Sequence, residues 1–157
     1  MIGFIFGFFF GWMLFAEPTI KGGGVILLNS QDQVLLVQNF KTAIWSFPKG
    51  HYEKEDGYYY QTAIREMEEE TTFRVDDDYT LIPGSCRYGK RMYYFGKLIE
   101  DGKERVPQIN TKFPLEHMDV QWFPKDQLPE RMNYDIYAWI IDGKPNSCYN
   151  ADDKFEL

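Results

Sequence analysis

The stretch from Gly50 to Phe73, GHYEKEDGYYYQTAIREMEEETTF, decides the reading of this chain. Its first residues are polar and bounded by Gly50 and Gly57, the composition of a loop. From Tyr58 to Thr71 the residues favour helix, with Tyr60, Ile64 and Met67 recurring at i, i+4 and i+7 as an apolar face that should pack on a sheet. On the same helix Glu66, Glu69 and Glu70 are related as i, i+3 and i+4, within an arc of roughly 100°. Carboxylates so close repel one another and weaken an isolated helix by a few tenths of about a kcal/mol per pair. A divalent cation reverses that sign. Hard ions such as Mg²⁺ or Mn²⁺ take carboxylate oxygens and bridge to phosphate, so the patch points to metal-assisted cleavage of phosphoanhydride bonds. A Glu68-Glu69-Glu70 run by itself is more often a solvated helix surface, and the loop before it makes the difference.

Working outward, Gly22 to Gly24 lead into Val25–Leu28, and a polar turn joins that strand to Val34–Val37 as a hairpin. The glycine run lacks a following Gly-Lys-Ser/Thr and precedes a strand, so it is no phosphate cradle; it supplies backbone freedom near a sheet. Ile44–Phe47 forms a strand that Pro48 and Gly50 break into the loop. Beyond the helix, Tyr79–Ile82, Arg91–Ile99 and Val120–Phe123 read as strands, residues 100–114 as a loop, and Tyr134–Ile141 as a closing helix. Strands interrupted by two helices indicate an α/β fold.

The chain has 157 residues, of which 44% are hydrophobic, enough for one domain with a real core. A net charge of −7 argues against a broad grip on nucleic-acid phosphates, which needs clustered Lys and Arg. Phosphates must therefore be met locally, by metal ions on surplus carboxylates. Cys86 and Cys148 lie far apart without a CxxC spacing, which excludes zinc and redox motifs; two unpaired thiols in a reducing compartment are expected rather than a disulfide.

Residues 1–16 stand apart from the expected single domain over 17–157. MIGFIFGFFFGWMLFA has no charged side chain and spans roughly 24 Å as a helix, short of the ~30 Å bilayer core. It reads as a membrane anchor, a leader lacking the usual basic start, or an extension on the domain, or it precedes a true start at Met13. The expected location is cytoplasmic, or membrane-associated if residues 1–16 anchor the chain.

The pattern G-x5-D-x8-R-E-M-E-E-E-T-T-F from Gly50 to Phe73 resembles the Nudix box, G-x5-E-x7-R-E-U-x-E-E-x-G-U with U apolar, the signature of a hydrolase superfamily. The resemblance implies a Nudix-like α/β/α sandwich with a mixed sheet over roughly Thr19 to Ile141. It implies Glu69 and Glu70 as principal metal ligands, Glu66 as a further ligand or as the base activating water, and the Gly50 carbonyl as an additional ligand. Arg65 would brace the box by pairing with the loop acid, Asp56, or Glu55 if the extra loop residue falls elsewhere. Two positions depart from the pattern: the interval from Gly50 to Arg65 is one residue longer, and Thr72 stands where the family has glycine, which predicts a distorted exit turn with intact metal binding.

Outside the box, Trp45-Ser-Phe-Pro-Lys-Gly-His51 and Glu116-His117-Met-Asp-Val-Gln-Trp122 resemble the W-x-x-P-K-G-H and E-H-x4-W segments of asymmetric diadenosine tetraphosphate hydrolases, a Nudix subgroup. That resemblance implies a nucleotide-type substrate, most directly a dinucleoside polyphosphate. Lys49 and His51 would contact phosphate, Glu116 would hold metal or serve as base, and Tyr88, Tyr93 or Tyr94 would stack a base. Lys90, with Arg91, would hold a polyphosphate tail. His117, Trp45 and Trp122 read as structural. Capped RNA, hydrolysed by decapping Nudix enzymes, and diphosphoinositol polyphosphates are the rival substrates; a non-catalytic nucleotide-binding domain is the rival class. The acidic chain speaks against RNA, dense inositol charge calls for more Lys and Arg, and a mere binder has no reason to keep Arg65, Glu66, Glu69 and Glu70 together.

Overall fold

The computed structural model describes residues 19–111, 115–142 and 147–149. The apolar segment over residues 1–16 and its boundary with the domain lie outside them. The strands are β1 (Gly22–Leu28), β2 (Gln33–Asn39), β3 (Trp45–Ser46), β4 (Lys49–His51), β5 (Tyr79–Tyr88), β6 (Arg91–Leu98), β7 (His117–Pro124) and β8 (Ser147–Tyr149). They form one mixed sheet in the order β3-β2-β1-β6-β5-β8, with β4 on β1 and β7 on β2. Only β1 and β6 run parallel among these pairs, and the others are antiparallel.

Two apolar cores cover the two faces of the sheet. The long helix α1 (Tyr59–Thr71) buries Ala63 and Met67 on one face against Val25, Leu27, Leu35 and Tyr79. On the other face Ile26, Val34, Leu36, Phe47 and Tyr93 pack with Ile136 of the short helix α2 (Tyr134–Tyr137) and with Ala138. Period-two alternation along β1 and β2 sends neighbours to opposite cores. The result is the expected α/β/α sandwich. Its last layer is the closing helix expected over Tyr134–Ile141, with one α-helical turn, α2, continued by a π-helical turn, Ala138–Asp142.

The buried face of α1 is not the one that Tyr60, Ile64 and Met67 predict. Tyr60 is exposed and stacks on Tyr58, while Thr62, Ala63, Glu66, Met67, Glu70 and Thr71 are buried. The helix is thus turned so that two of its glutamates face inward. The glycines of β1 make this close approach work: a Cβ on Gly23 would meet the Tyr59 carbonyl at 2.5 Å, and one on Gly22 the Gly50 carbonyl at 1.9 Å. Their role is contact with α1 and β4 rather than general backbone freedom.

The exit of α1 corrects a second expectation. Thr72 adopts φ 66° and its N–H donates to the Glu68 carbonyl, so the helix ends in an ordinary left-handed cap with a β-branched residue bearing the strain. The turn is not distorted. The loop after β6 returns over this helix end, where Gln108 N–H donates to the Thr71 carbonyl at 3.0 Å.

Cys86 and Cys148 are joined in a disulfide, contrary to the expectation of two free thiols. They face each other in the register of β5 and β8, and that juxtaposition cannot be read from two cysteines 62 residues apart. Disulfides persist in oxidising compartments, so the bridge lends no support to a cytoplasmic location. Among the described residues no helix is long and apolar enough to cross a membrane.

Candidate active site

The loop before α1 is held by Asp56. Its carboxylate accepts from Arg65 Nε at 2.9 Å and Nη2 at 3.0 Å, from Thr62 Oγ1 at 2.8 Å and from the Glu53 N–H at 2.9 Å. Burial pushes this acid up, but the Arg65 hydrogen bonds, with those from Glu53 and Thr62, outweigh it and hold the carboxyl at about 2. The partner of Arg65 is Asp56, while Glu55 has no such bond among the described contacts. Arg65 also donates from Nη2 to the His51 carbonyl at 2.9 Å, and from Nη1 to Glu66 at 2.8 Å and Glu69 at 3.2 Å. One guanidinium therefore ties loop, β4 and carboxylate helix together.

The inward turn of α1 brings Glu66 and Glu70 onto β4. The Glu66 carboxylate lies over Gly50, where a Cβ would sit 2.1 Å from its Cδ; only glycine leaves that room. Glu70 accepts the Lys49 N–H at 3.1 Å. Burial pushes Glu66 up to about 7 despite Arg65, with the Glu69 and Glu116 charges adding to the rise. Burial likewise raises Glu70, reinforced by Glu66 and opposed by Lys49. Glu69 is partly exposed beside them.

The fourth carboxylate is Glu116, the residue before β7. The pairing of β2 with β7 shifts register between Gln38 and Asn39, and Phe40 N–H donates to the Glu116 carbonyl at 2.8 Å. This irregularity carries Glu116 and His117 over the glutamates of α1. Ligand atoms of Glu70, Glu116 and His117 all lie within 4.8 Å of one another. His117 is buried with Nε2 3.8 Å from Glu70; burial, with the nearby Lys49 charge, lowers it to about 4, so it is neutral at pH 7 and has a lone pair to lend. The sequence reads His117 as structural, and the signal for its place in the site is the E-H-x4-W segment it shares with Glu116.

Together these residues line a cleft with two lobes flanking Glu66, Glu69, Glu70, Glu116 and His117. One, of about 330 Å³, is walled by Ile109 and Asn110. The other, of about 320 Å³, holds Lys49, Gly50, His51 and Arg91. Crowded, partly buried carboxylates with raised proton affinity are a donor set short of positive charge, and hard oxygens with one imidazole suit a divalent cation. The residues present fit such an ion.

The aromatic and basic candidates of β5 and β6 fall elsewhere. Tyr88 and Tyr93 are buried in the core under α2, Tyr93 donating its hydroxyl hydrogen to Asp135, so neither ring is presented for base stacking. Tyr94 is on the other face of β6, edge-on to Tyr60, and lines neither lobe. Lys90 is exposed in the β5–β6 turn, while its neighbour Arg91 enters the cleft.

A carboxylate-bearing helix braced by an arginine on a mixed α/β/α sheet defines a phosphoanhydride hydrolase of the cation-using kind. The chain belongs to the NUDIX domain family, whose model matches residues 19–142, and it is a Nudix-type pyrophosphohydrolase acting on nucleoside diphosphate derivatives. Among curated proteins no sequence matches it. Solved structures share the fold at low identity. An Ap4A hydrolase of C. elegans, in a binary complex, has a TM-score of 0.56 and 22% identity over 68% of this chain and 82% of that one. A MutT NUDIX hydrolase from Burkholderia pseudomallei has a TM-score of 0.54 and 18% identity, covering 79% of this chain and 97% of that one. The NUDIX domain of Shewanella oneidensis NrtR, complexed with ADP ribose, has a TM-score of 0.55 and 20% identity over 82% and 88%.

Proposed function

We propose that this hydrolase acts on a dinucleoside polyphosphate, with water attacking one phosphorus and a bridging P–O bond breaking to release two nucleotides. The observation that carries the reading is convergence: the Lys49–His51 segment and the Glu116–His117 segment, 65 or more residues apart in sequence and each similar to a segment of the diadenosine tetraphosphate hydrolases, meet in one lobe with the glutamates of α1. The C. elegans neighbour supports the same choice, as a likeness of fold.

Glu69 and Glu70 would hold a Mg²⁺ or Mn²⁺ ion, joined by Glu66 and the Gly50 carbonyl. When bound, such an ion supplies Lewis acidity and charge neutralisation at the phosphate oxygens. The protein's own groups do the rest. Lys49 and His51 meet phosphate oxygens and orient the chain. Glu116, exposed at the rim, accepts the proton of the attacking water; Glu66, engaged by Arg65, is the alternative base. Arg65 and Asp56 keep the helix in register with β4.

Product release from diadenosine tetraphosphate, capped RNA, diphosphoinositol polyphosphate and ADP-ribose, measured with one preparation in Mg²⁺ and in Mn²⁺, tests this. Diadenosine tetraphosphate is expected to have the highest kcat/KM. A tight preference for capped RNA or for the inositol compound overturns the substrate, and folded, cation-loaded protein inert toward all four supports the binding-only class.

A further inference from the structure

Besides the cleft, α1 borders a second cavity, of about 750 Å³, to which the residues of the proposed reaction assign no use. Gln61, Ile64, Glu68 and Thr72 follow one another at helical spacing along the side of α1 that does not pack on the sheet, and they form one wall. Arg74, beyond the helix end, and Asn110, from the loop after β6, border it too. Glu69 and Asn110 line both this cavity and the cleft lobe walled by Ile109, so the two spaces share a border. The volume falls in the range of pockets that hold small organic ligands.

Its charge is balanced where that of the cleft is not. Two arginines and two glutamates line it, and they pair with each other: Arg74 Nε lies 3.3 Å from Glu68, and Arg65 Nη1 3.2 Å from Glu69. Arg65 is committed further to Asp56, Glu66 and the His51 carbonyl. No surplus of either sign is left to attract a phosphate or a metal ion, so the cavity suits an uncharged group. Ile64 supplies a half-buried aliphatic surface. Gln61 Oε1 accepts the Tyr58 N–H at 3.2 Å, which leaves its NH₂ end to donate. The Arg74–Glu68 pair is exposed and therefore weakly held, so the planar guanidinium can turn onto a ring. An aliphatic floor, a stacking guanidinium and an amide are the means by which a planar heterocycle is bound.

We propose that this cavity seats the second nucleoside of the substrate, its base between Ile64 and Arg74 with Gln61 at its edge, so that the enzyme favours phosphate chains carrying a nucleoside at both ends. The inference rests on the proposed function and deepens it. Glu69 is the border that the phosphate bridge crosses, from the acidic cleft to the neutral side of α1. The base-stacking role thereby passes to residues of the helix and its exit, after Tyr88 and Tyr93 prove buried and Tyr94 lines neither lobe.

Photolabelling of the full chain with 8-azidoadenosine 5′-monophosphate in Mg²⁺, followed by peptide mapping, tests the site without turnover. Label is expected within residues 61–74, blocked by adenosine monophosphate and not by ribose 5-phosphate. Label confined to other peptides, or blocked equally by the base-free sugar phosphate, overturns the proposal. Arg74→Ala is then expected to narrow the kcat/KM preference for diadenosine tetraphosphate over adenosine 5′-tetraphosphate about tenfold, mainly through KM. An unchanged ratio also overturns it. Ile64→Ala, checked by thermal unfolding, should shift the ratio the same way. Labelled protein that turns over neither compound keeps the cavity and rejects the reaction; unlabelled protein that turns over diadenosine tetraphosphate keeps the reaction and rejects the cavity.

Discussion

Asp56 and Glu66 are both buried acids next to Arg65, and they behave in opposite ways. Asp56 collects hydrogen bonds from Arg65, Thr62 and the Glu53 backbone and is held at about 2. Glu66 has one bond from Arg65, sits over Gly50 among Glu69, Glu70 and Glu116, and is pushed up to about 7. Burial alone does not separate a structural acid from a functional one; the balance of partners does. Where the protein satisfies the charge itself, the residue braces. Where it leaves negative charge in surplus, the donor set suits a divalent cation.

The largest effect should come from the surplus side. Glu69→Gln is expected to lower cation-dependent turnover on the order of a thousandfold while the melting temperature holds or rises, because a like charge has left the cluster. Undiminished activity would break the contrast. On the satisfied side, Arg65→Leu should cost about 3 kcal/mol in denaturant unfolding, because Asp56 then stays buried and charged without its partner. Loss of activity without loss of stability would mean that Arg65 acts on substrate instead.

The two acids also predict opposite pH dependences in chelator-treated protein. Glu66 binds its proton more tightly folded, at about 7, than unfolded, at 4.5, so its stability contribution is full below pH 4.5 and is lost as pH rises through 7, a swing of about 3 kcal/mol. Asp56 runs the other way: its contribution is present above 3.8 and is lost as pH falls toward 2. Denaturant midpoints from pH 4.5 to 8 should therefore fall more steeply in the native chain than in Glu66→Gln, where the raised Glu70 and the lowered His117 still titrate; parallel curves refute the assignment. The smallest effect lies outside both regions. Thr72→Gly should stabilise by roughly 0.5–1 kcal/mol through relief of the left-handed cap, with activity unchanged.

What the sequence made legible was local. The Gly50–Phe73 spacing carried the helix, the Arg65–Asp56 brace and the carboxylate patch. Strand alternation and turn residues carried the sandwich. The side of α1 that packs differs from the Tyr60–Ile64–Met67 face, because Gly23 of β1 brings the backbone of Tyr59 and Ala63 close and Gly50 of β4 leaves room for Glu66. The place of His117 in the cleft and the Cys86–Cys148 bridge are out of reach for a different reason: each depends on strand register across distant segments, at the β2–β7 shift and the β5–β8 edge. The same period-two geometry that put Tyr93 into the core put Tyr94 on the opposite face.

The central claim is that the carboxylates of α1, with Glu116, form a site whose surplus charge requires a divalent cation to cleave a phosphoanhydride. Its most direct test is turnover of diadenosine tetraphosphate by chelator-stripped protein as Mg²⁺ or Mn²⁺ is restored. The account predicts no turnover without the ion, saturable recovery on its addition, and no recovery in a folded Glu70→Gln variant. Turnover that persists in chelator, or a Glu70→Gln protein that recovers like the native chain, would contradict it.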